Sequence, residues 1–228
     1  MRSITIEGGL TVALRRSARA RRMVLRVPHA GGEAVLTLPL HAPLAEGEAF
    51  ARSRRSWLEA ALTRRPAPRC VAHGALLPVE GRPLAVTPAP ALRAPRIEAD
   101  ALLVPEARPA GPVVAAFLRQ LALARLRPEC DRLAALLGRE ARAIVLRDTR
   151  SRWGSCTSDG RLMFNWRLAM APPQVLAYVA AHEVAHLAHM DHSPRFWAAV
   201  ERLMPGHAPQ RAWLKQNGGG LMLWRFRD

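Results

Sequence analysis

Residues 182–192, HEVAHLAHMDH, gather four histidines, one glutamate and one aspartate into eleven positions. On a helix, His182 and His186 are four residues apart and project from the same face, so both imidazoles can turn toward one ion. Zinc accepts neutral imidazole nitrogen at about 2.0–2.1 Å and takes four ligands, which leaves a helical pair with half a site. At about 1.5 Å of rise per residue, His189 stands roughly 10 Å along the axis from His182, too far to share the ion. His192 is better placed. Asp191, His192, Ser193 and Pro194 are the residue types that end one helix and cap the next, and a chain that turns back there frees the side chain from the helical rise. The expected metal set is His182, His186 and His192, holding one Zn2+ per chain, with His189 behind the ligands or at the surface.

Glu183 gives that set a reaction. Next to a ligand it is poorly aimed to be a fourth inner donor but well aimed at a water in the open position. A carboxylate there can take the water's proton as it attacks a carbonyl and return it to the leaving amine, while the metal polarises the carbonyl. The expected chemistry is hydrolysis without a covalent intermediate, with Glu183 as general base. A histidine-rich amphipathic helix and a purely structural three-histidine site are the bland alternatives; Glu183 has no obvious task in the closed structural site.

These side chains need a helix, which the pattern predicts from about 173 to 190, with Pro172 and Pro173 in its first turn, where backbone donors have no partner anyway. Before it, ARAIVLRD (141–148) is expected as a strand and SRWGSCTSDGRLMFNW as a hairpin turning at Ser158, Asp159 and Gly160. From Pro112 to Leu137 the apolar spacing is helical, with Pro128 expected to kink or break it into two helices and Gly138 in the C′ position. Further upstream, SITIEG, LTVALRRS and MVLRVPHAGGEAVLTLPL suggest four strands turning at Gly8, Gly9, Gly31 and Gly32, with antiparallel pairing. Residues 44–65 form an amphipathic helix in this reading, and GALLPVEGRPLAVTP returns to strand with a turn near Glu80 and Gly81. Prolines crowd 87–112, which marks a connection. The fold class expected is α+β: a β-rich N-terminal module over 1–105 with one amphipathic helix, then a hydrolase domain over 106–228 in which the HExxH helix lies next to a small β-sheet.

SRWGSCTSDGRLMFNWRLAMAPPQVLAYVAAHEVAHLAHMDHSPRFW resembles the signature of the YgjP-like metallopeptidases, zincin-like metal-dependent hydrolases related to SprT-like domains. The likeness runs from about 142 to 215, with RRSARARRMVLRV (15–27) and WLEAAL in keeping with it. It implies zinc ligands at His182, His186 and His192 and a catalytic glutamate at Glu183, the assignment that spacing reaches independently. Asp191 departs from the family, which often has asparagine there. The resemblance also implies a zincin-like fold with the strand around Arg152 to Cys156 beside the metal helix. An exposed strand there could pair with an extended peptide, making Arg152, Trp153, Gly154 and Ser155 candidate substrate-binding residues, with Arg152 available to a carboxylate or an oxyanion. Core packing is the simpler reading for Trp153, Phe196 and Trp197, and for Tyr178. Cys156 is expected as a small buried residue; its thiolate on the open zinc position is the rival idea.

The 228 residues are half apolar, enough for a proper core. No signal-like h-region opens the chain, and VVAAFLRQLALARL (113–126) is short and interrupted by Arg119 and Arg125, so neither secretion nor a membrane span is expected. Three scattered cysteines, without a CxxC pair, fit a reducing cytoplasm. The net charge of +16 would suit polyanions. Only Lys215 among the basic residues is lysine, and the arginines are spread along the chain without interleaved aromatics, so nucleic acid is the less favoured partner and a peptide or protein substrate the favoured one. Two other functions compete: a metal-dependent nucleotide pyrophosphatase, for which no Gly-rich phosphate cradle or magnesium carboxylate cluster is visible, and a nucleic-acid-associated protein whose metal domain acts on bound proteins.

Overall fold

The computed structural model describes residues 3–28, 33–64 and 66–227. The expected turn at Gly31 and Gly32 lies outside them. The chain divides into two compact units, Met1–Pro68 and Arg69–Asp228.

Unit 1 contains β1 (Ser3–Ile6), β2 (Leu10–Ser17), β3 (Val24–Arg26), β4 (Ala34–Pro39), α1 (Leu44–Ser53) and α2 (Arg55–Thr63). Its sheet has the order β1-β2-β4-β3. The pairs β1–β2 and β3–β4 are antiparallel, but β2 and β4 are parallel. The strands do alternate in direction along the chain, yet β3 is displaced one place outward and β4 fills the slot between it and β2, so two strands of like direction become neighbours. Alternation buries Leu36 and Leu38 on β4, and the core joins them to Val12, Ala51 and Leu58. Gly47 lets α1 approach closely, since a Cβ there would stand 2.9 Å from Leu38 Cδ2. The single helix expected over 44–65 is two, because Arg54 (φ −104°, ψ 12°) leaves helical geometry and its N–H reaches Ala51 O, three residues back.

Unit 2 opens with β5 (Arg69–Cys70), β6 (Leu76–Val79), β7 (Arg82–Ala89), β8 (Arg96–Glu98) and β9 (Ala101–Pro105). The β6–β7 hairpin turns at Glu80 (φ 49°) and Gly81 (φ 79°), a two-residue loop with both φ positive, as the twist of the flanking strands favours. The proline-rich stretch holds strands β8 and β9 within it. Pro88 is tolerated because β6 pairs with β7 only as far as Ala85, so Pro88 has a neighbour on one side alone, in β9. Leu77, Val79, Leu84, Val86, Leu102 and Val104 enter the same core as the helices that follow. That shared core is why the division falls at Pro68 and not near residue 105.

Next come α3 (Ala110–Leu136), β10 (Ala143–Arg147), β11 (Gly154–Cys156), β12 (Arg161–Asn165), α4 (Pro173–Ala185), α5 (Pro194–Leu203), α6 (Ala208–Leu221) and β13 (Trp224–Arg225). The helix α3 runs unbroken through Pro128. One buried stripe, Val114, Leu118, Ala122, Leu126, Cys130 and Leu133, continues past the proline, so core contacts on both sides outweigh the lost backbone bond. Gly138 (φ 62°) closes the helix as expected, and the Arg139 N–H donates to Ala134 O at 3.0 Å. The small sheet has the order β10-β12-β11: β12 is central, parallel to β10 and antiparallel to the edge strand β11. The α4 helix packs on α3 and on β11. No helix among the described residues is long and apolar enough to cross a membrane.

Candidate metal centre

Burial on nearly every face holds α4 in place, from Val175 to Ala185. Its last turn presents His182 and Glu183, and His186 follows at the C-cap with helical geometry (φ −66°, ψ −19°). The helix therefore stops five residues before the expected end near Met190, and residues 186–188 turn. The chain then reverses into α5. Asp191 accepts from the Ser193 N–H at 3.2 Å, and the Ser193 hydroxyl caps α5 by accepting from the Phe196 N–H at 3.5 Å. This reversal returns His192 to His182 and His186.

The three histidines offer ring nitrogens that all lie within 4.8 Å of one another, and among the described residues they are the one cluster suited to a metal. His182 Nε2 and His192 Nε2 are 3.2 Å apart. A tetrahedral ion with bonds of about 2.0–2.1 Å would hold two such nitrogens about 3.3 Å apart, so the spacing of this pair fits. The donor chemistry fits as well. Burial, and then the neighbouring His186 and His192, push His182 down to about 4, and burial also lowers His186, so these rings are neutral at pH 7 and keep a lone pair for a metal. His186 Nδ1 lies 2.9 Å from the His189 carbonyl, which assigns the proton to Nδ1 and leaves Nε2 unprotonated. Thus His189 serves through its backbone. The Nδ1 of His182, by contrast, is buried without a partner among the described residues.

Aromatic rings pack this cluster from behind. Phe196, fully buried, stacks on His186 at 4.4 Å and meets His182 and His192 edge-on at 5.0 and 4.8 Å. Trp197 lies 5.7 Å from His182, and His207 stacks between Trp197 and Tyr178 at 5.9 and 5.7 Å. Glu201 holds His207 through a 2.9 Å contact to Nδ1. Nothing in the spacing of His207 marks it, because fifteen residues and a whole helix separate it from His192.

Glu183 is 5% exposed, and its burial pushes the carboxyl up to about 8 against the opposing pull of Arg152. It sits against Gly154 of the edge strand: a Cβ at that glycine would come within 2.7 Å of the glutamate Cγ and Cδ. The four residues from Arg152 to Ser155 have different surroundings. Arg152 is exposed, Trp153 packs its indole where Gly218 of α6 leaves room, and Gly154 and Ser155 pair with Phe164 and Met163 on one side only. The loop before them is tied down by Asn165, whose amide donates to Thr149 O at 2.7 Å, and by the Thr149 hydroxyl, which donates to Arg152 O at 2.7 Å. Cys156 lies outside the metal cluster. Its thiol donates to Thr157 O at 3.4 Å and is pushed up to about 11 by burial and by Glu183, so it keeps its proton.

Comparison with known proteins gives two findings. A family model described as YgjP-like, metallopeptidase domain matches residues 21–217. Among solved structures, the metallopeptidase zymogen of Pyrococcus abyssi abylysin is similar at 20% identity and a TM-score of 0.36, over 41% of this chain and 92% of that one. No curated protein matches.

Proposed function

This chain belongs to the YgjP-like metallopeptidase family, and we propose that it hydrolyses peptide bonds with one zinc ion held by His182, His186 and His192 and with Glu183 as general base. The observation that carries the reading is the Glu183 carboxyl, buried against the backbone of the edge strand at Gly154 and carried by the same helix, one residue after His182 of the histidine cluster. When bound, zinc supplies a Lewis acid for the carbonyl and makes water a better acid. The rest falls to the protein. The free edge of β11 offers its main chain to an extended peptide, which gives affinity with little sequence preference. Glu183 takes the proton of the attacking water and delivers it to the departing amine. Arg152, close enough to depress Glu183, is placed to pair with a substrate carboxylate or the developing oxyanion. His189, through its carbonyl, and Phe196, through its ring, hold the histidines in position.

The test is removal and return of the metal. Dialysis against a chelator abolishes cleavage of a mixed peptide library, added zinc restores it, and His192→Ala cannot be restored. Cleavage that survives complete removal of the metal overturns the proposal.

A further inference from the structure

A concave site lies in unit 2, lined by none of the metal-cluster histidines, by neither Glu183 nor residues 152–155. It has a volume of about 600 Å³, within the range of small-ligand sites. Four segments far apart in sequence converge on it: the start of α3, the loop after β10, the segment after β12 and the C-terminal tail. Among the described residues they bring five arginines, Arg119, Arg150, Arg167, Arg225 and Arg227, and one carboxylate, Asp148.

That carboxylate is already taken. Asp148 receives two hydrogen bonds from Arg167, at 2.7 and 3.2 Å. Arg167 is 6% exposed and also donates to the carbonyls of Leu221 and Trp224 at 3.1 and 2.9 Å, so it is a fixed part of the wall. Arg119 lies over the face of Trp166 at 4.8 Å, and among the described residues no ion pair engages Arg119, Arg150 or Arg227. The Trp166 indole N–H, also in the wall, has no acceptor among the described residues. The wall is thus rich in donors and poor in acceptors, and cations gathered in a concavity repel one another unless an anion joins them.

We infer that this cavity binds a small polyanion carrying at least two oxyanion groups, each suited to the planar fork of a guanidinium. Arg119, Arg150 and Arg227 contact the ligand, Arg167 and Asp148 form the rigid floor, and Phe226 and Met222 contribute an apolar side. The inference is independent of the peptidase reading. Phosphate and carboxylate are two sources of the same chemistry, and the experiment distinguishes them.

Isothermal titration of the full-length protein with inorganic diphosphate in one arm and citrate in the other gives saturable binding in at least one arm. Charged hydrogen bonds of about 1.5–3 kcal/mol correspond to about tenfold or more in Kd per arginine. Arg150→Gln and Arg119→Gln therefore each weaken binding at least about tenfold, whereas Arg139→Gln, outside the cavity, leaves it unchanged. Metal content and peptide cleavage remain those of the parent in all three variants. No saturable binding in either arm, or equal weakening by Arg139→Gln, overturns the inference; the second result would mean attraction to net charge only.

Discussion

Gly154→Ala places one methyl group at the junction of the edge strand and Glu183. The added Cβ would stand 2.6 and 2.7 Å from the glutamate Cγ and Cδ. Carbon atoms in comfortable contact are about 3.5–4.0 Å apart, so either the carboxyl or the strand must move by about 1 Å. A shift of that size at a reacting group costs about 100-fold in rate. Overpacking of the α4–β11 contact costs a further 1–3 kcal/mol of stability, roughly. The histidine cluster is untouched, so metal content stays at the parental level. Steady-state cleavage of a fluorogenic peptide, with metal measured on the same samples, reads both. We expect kcat to fall about 100-fold with zinc retained, and Ser155→Ala, one residue on, to stay within a few-fold of the parent. A Gly154→Ala protein with more than half the parental kcat would refute the claim that Glu183 must sit against this backbone.

Other outcomes follow from the same structure. Arg167→Ala leaves the carbonyls of Leu221 and Trp224 without a donor, while Asp148, exposed, keeps its water; a loss of about 2 kcal/mol in chemical denaturation is expected, at about 1 kcal/mol for each carbonyl left without its hydrogen bond. Thiol labelling at pH 8 should separate the three cysteines. Cys70 is exposed and labels fast, whereas burial pushes Cys130 up to about 12 and Cys156 up to about 11, so both react slowly until the chain is unfolded. Three fast thiols in the native protein would contradict this packing. Phe196→Ala removes the ring that contacts all three histidines; metal affinity should fall by about 10- to 100-fold, as for other groups that orient ligands, and an unchanged affinity would assign Phe196 to the core alone.

The histidine cluster was legible because helical spacing and a cap sequence are local signals: His182 and His186 share a face, and Asp191 to Pro194 announce a reversal. What sequence periodicity missed depends on contacts made at a distance. Pro128 would break an isolated helix, but α3 is held on both sides of it by the core. Pro88 and Pro105 mark a connection only when the neighbouring strand is ignored; Pro88 has one neighbour and Pro105 ends its strand. The division of the chain follows where apolar faces meet, which put β6 to β9 with α3 and moved the boundary to Pro68. The parallel contact of β2 with β4 arises because β3 skips a place, which alternation of residues along a strand does not encode. In the site itself, the carbonyl of His189, the stack of His207 with Trp197 and Tyr178, and the close fit of Gly154 to Glu183 are products of tertiary packing. Glycine within RWGSC was the one visible sign of that fit.

The central claim is that one zinc ion on three histidines works with Glu183 on peptide bonds. The direct measurement is a time course of cleavage of an unfolded protein substrate by zinc-loaded parent and zinc-loaded Glu183→Gln, with the metal in each sample quantified. We predict one zinc per chain in both, fragments accumulating only with the parent, and a rate at least about 1000-fold lower in the variant, in keeping with the loss of a general base. Equal cleavage by the two proteins, or a parent that holds zinc in full and cleaves no peptide bond, would contradict the account.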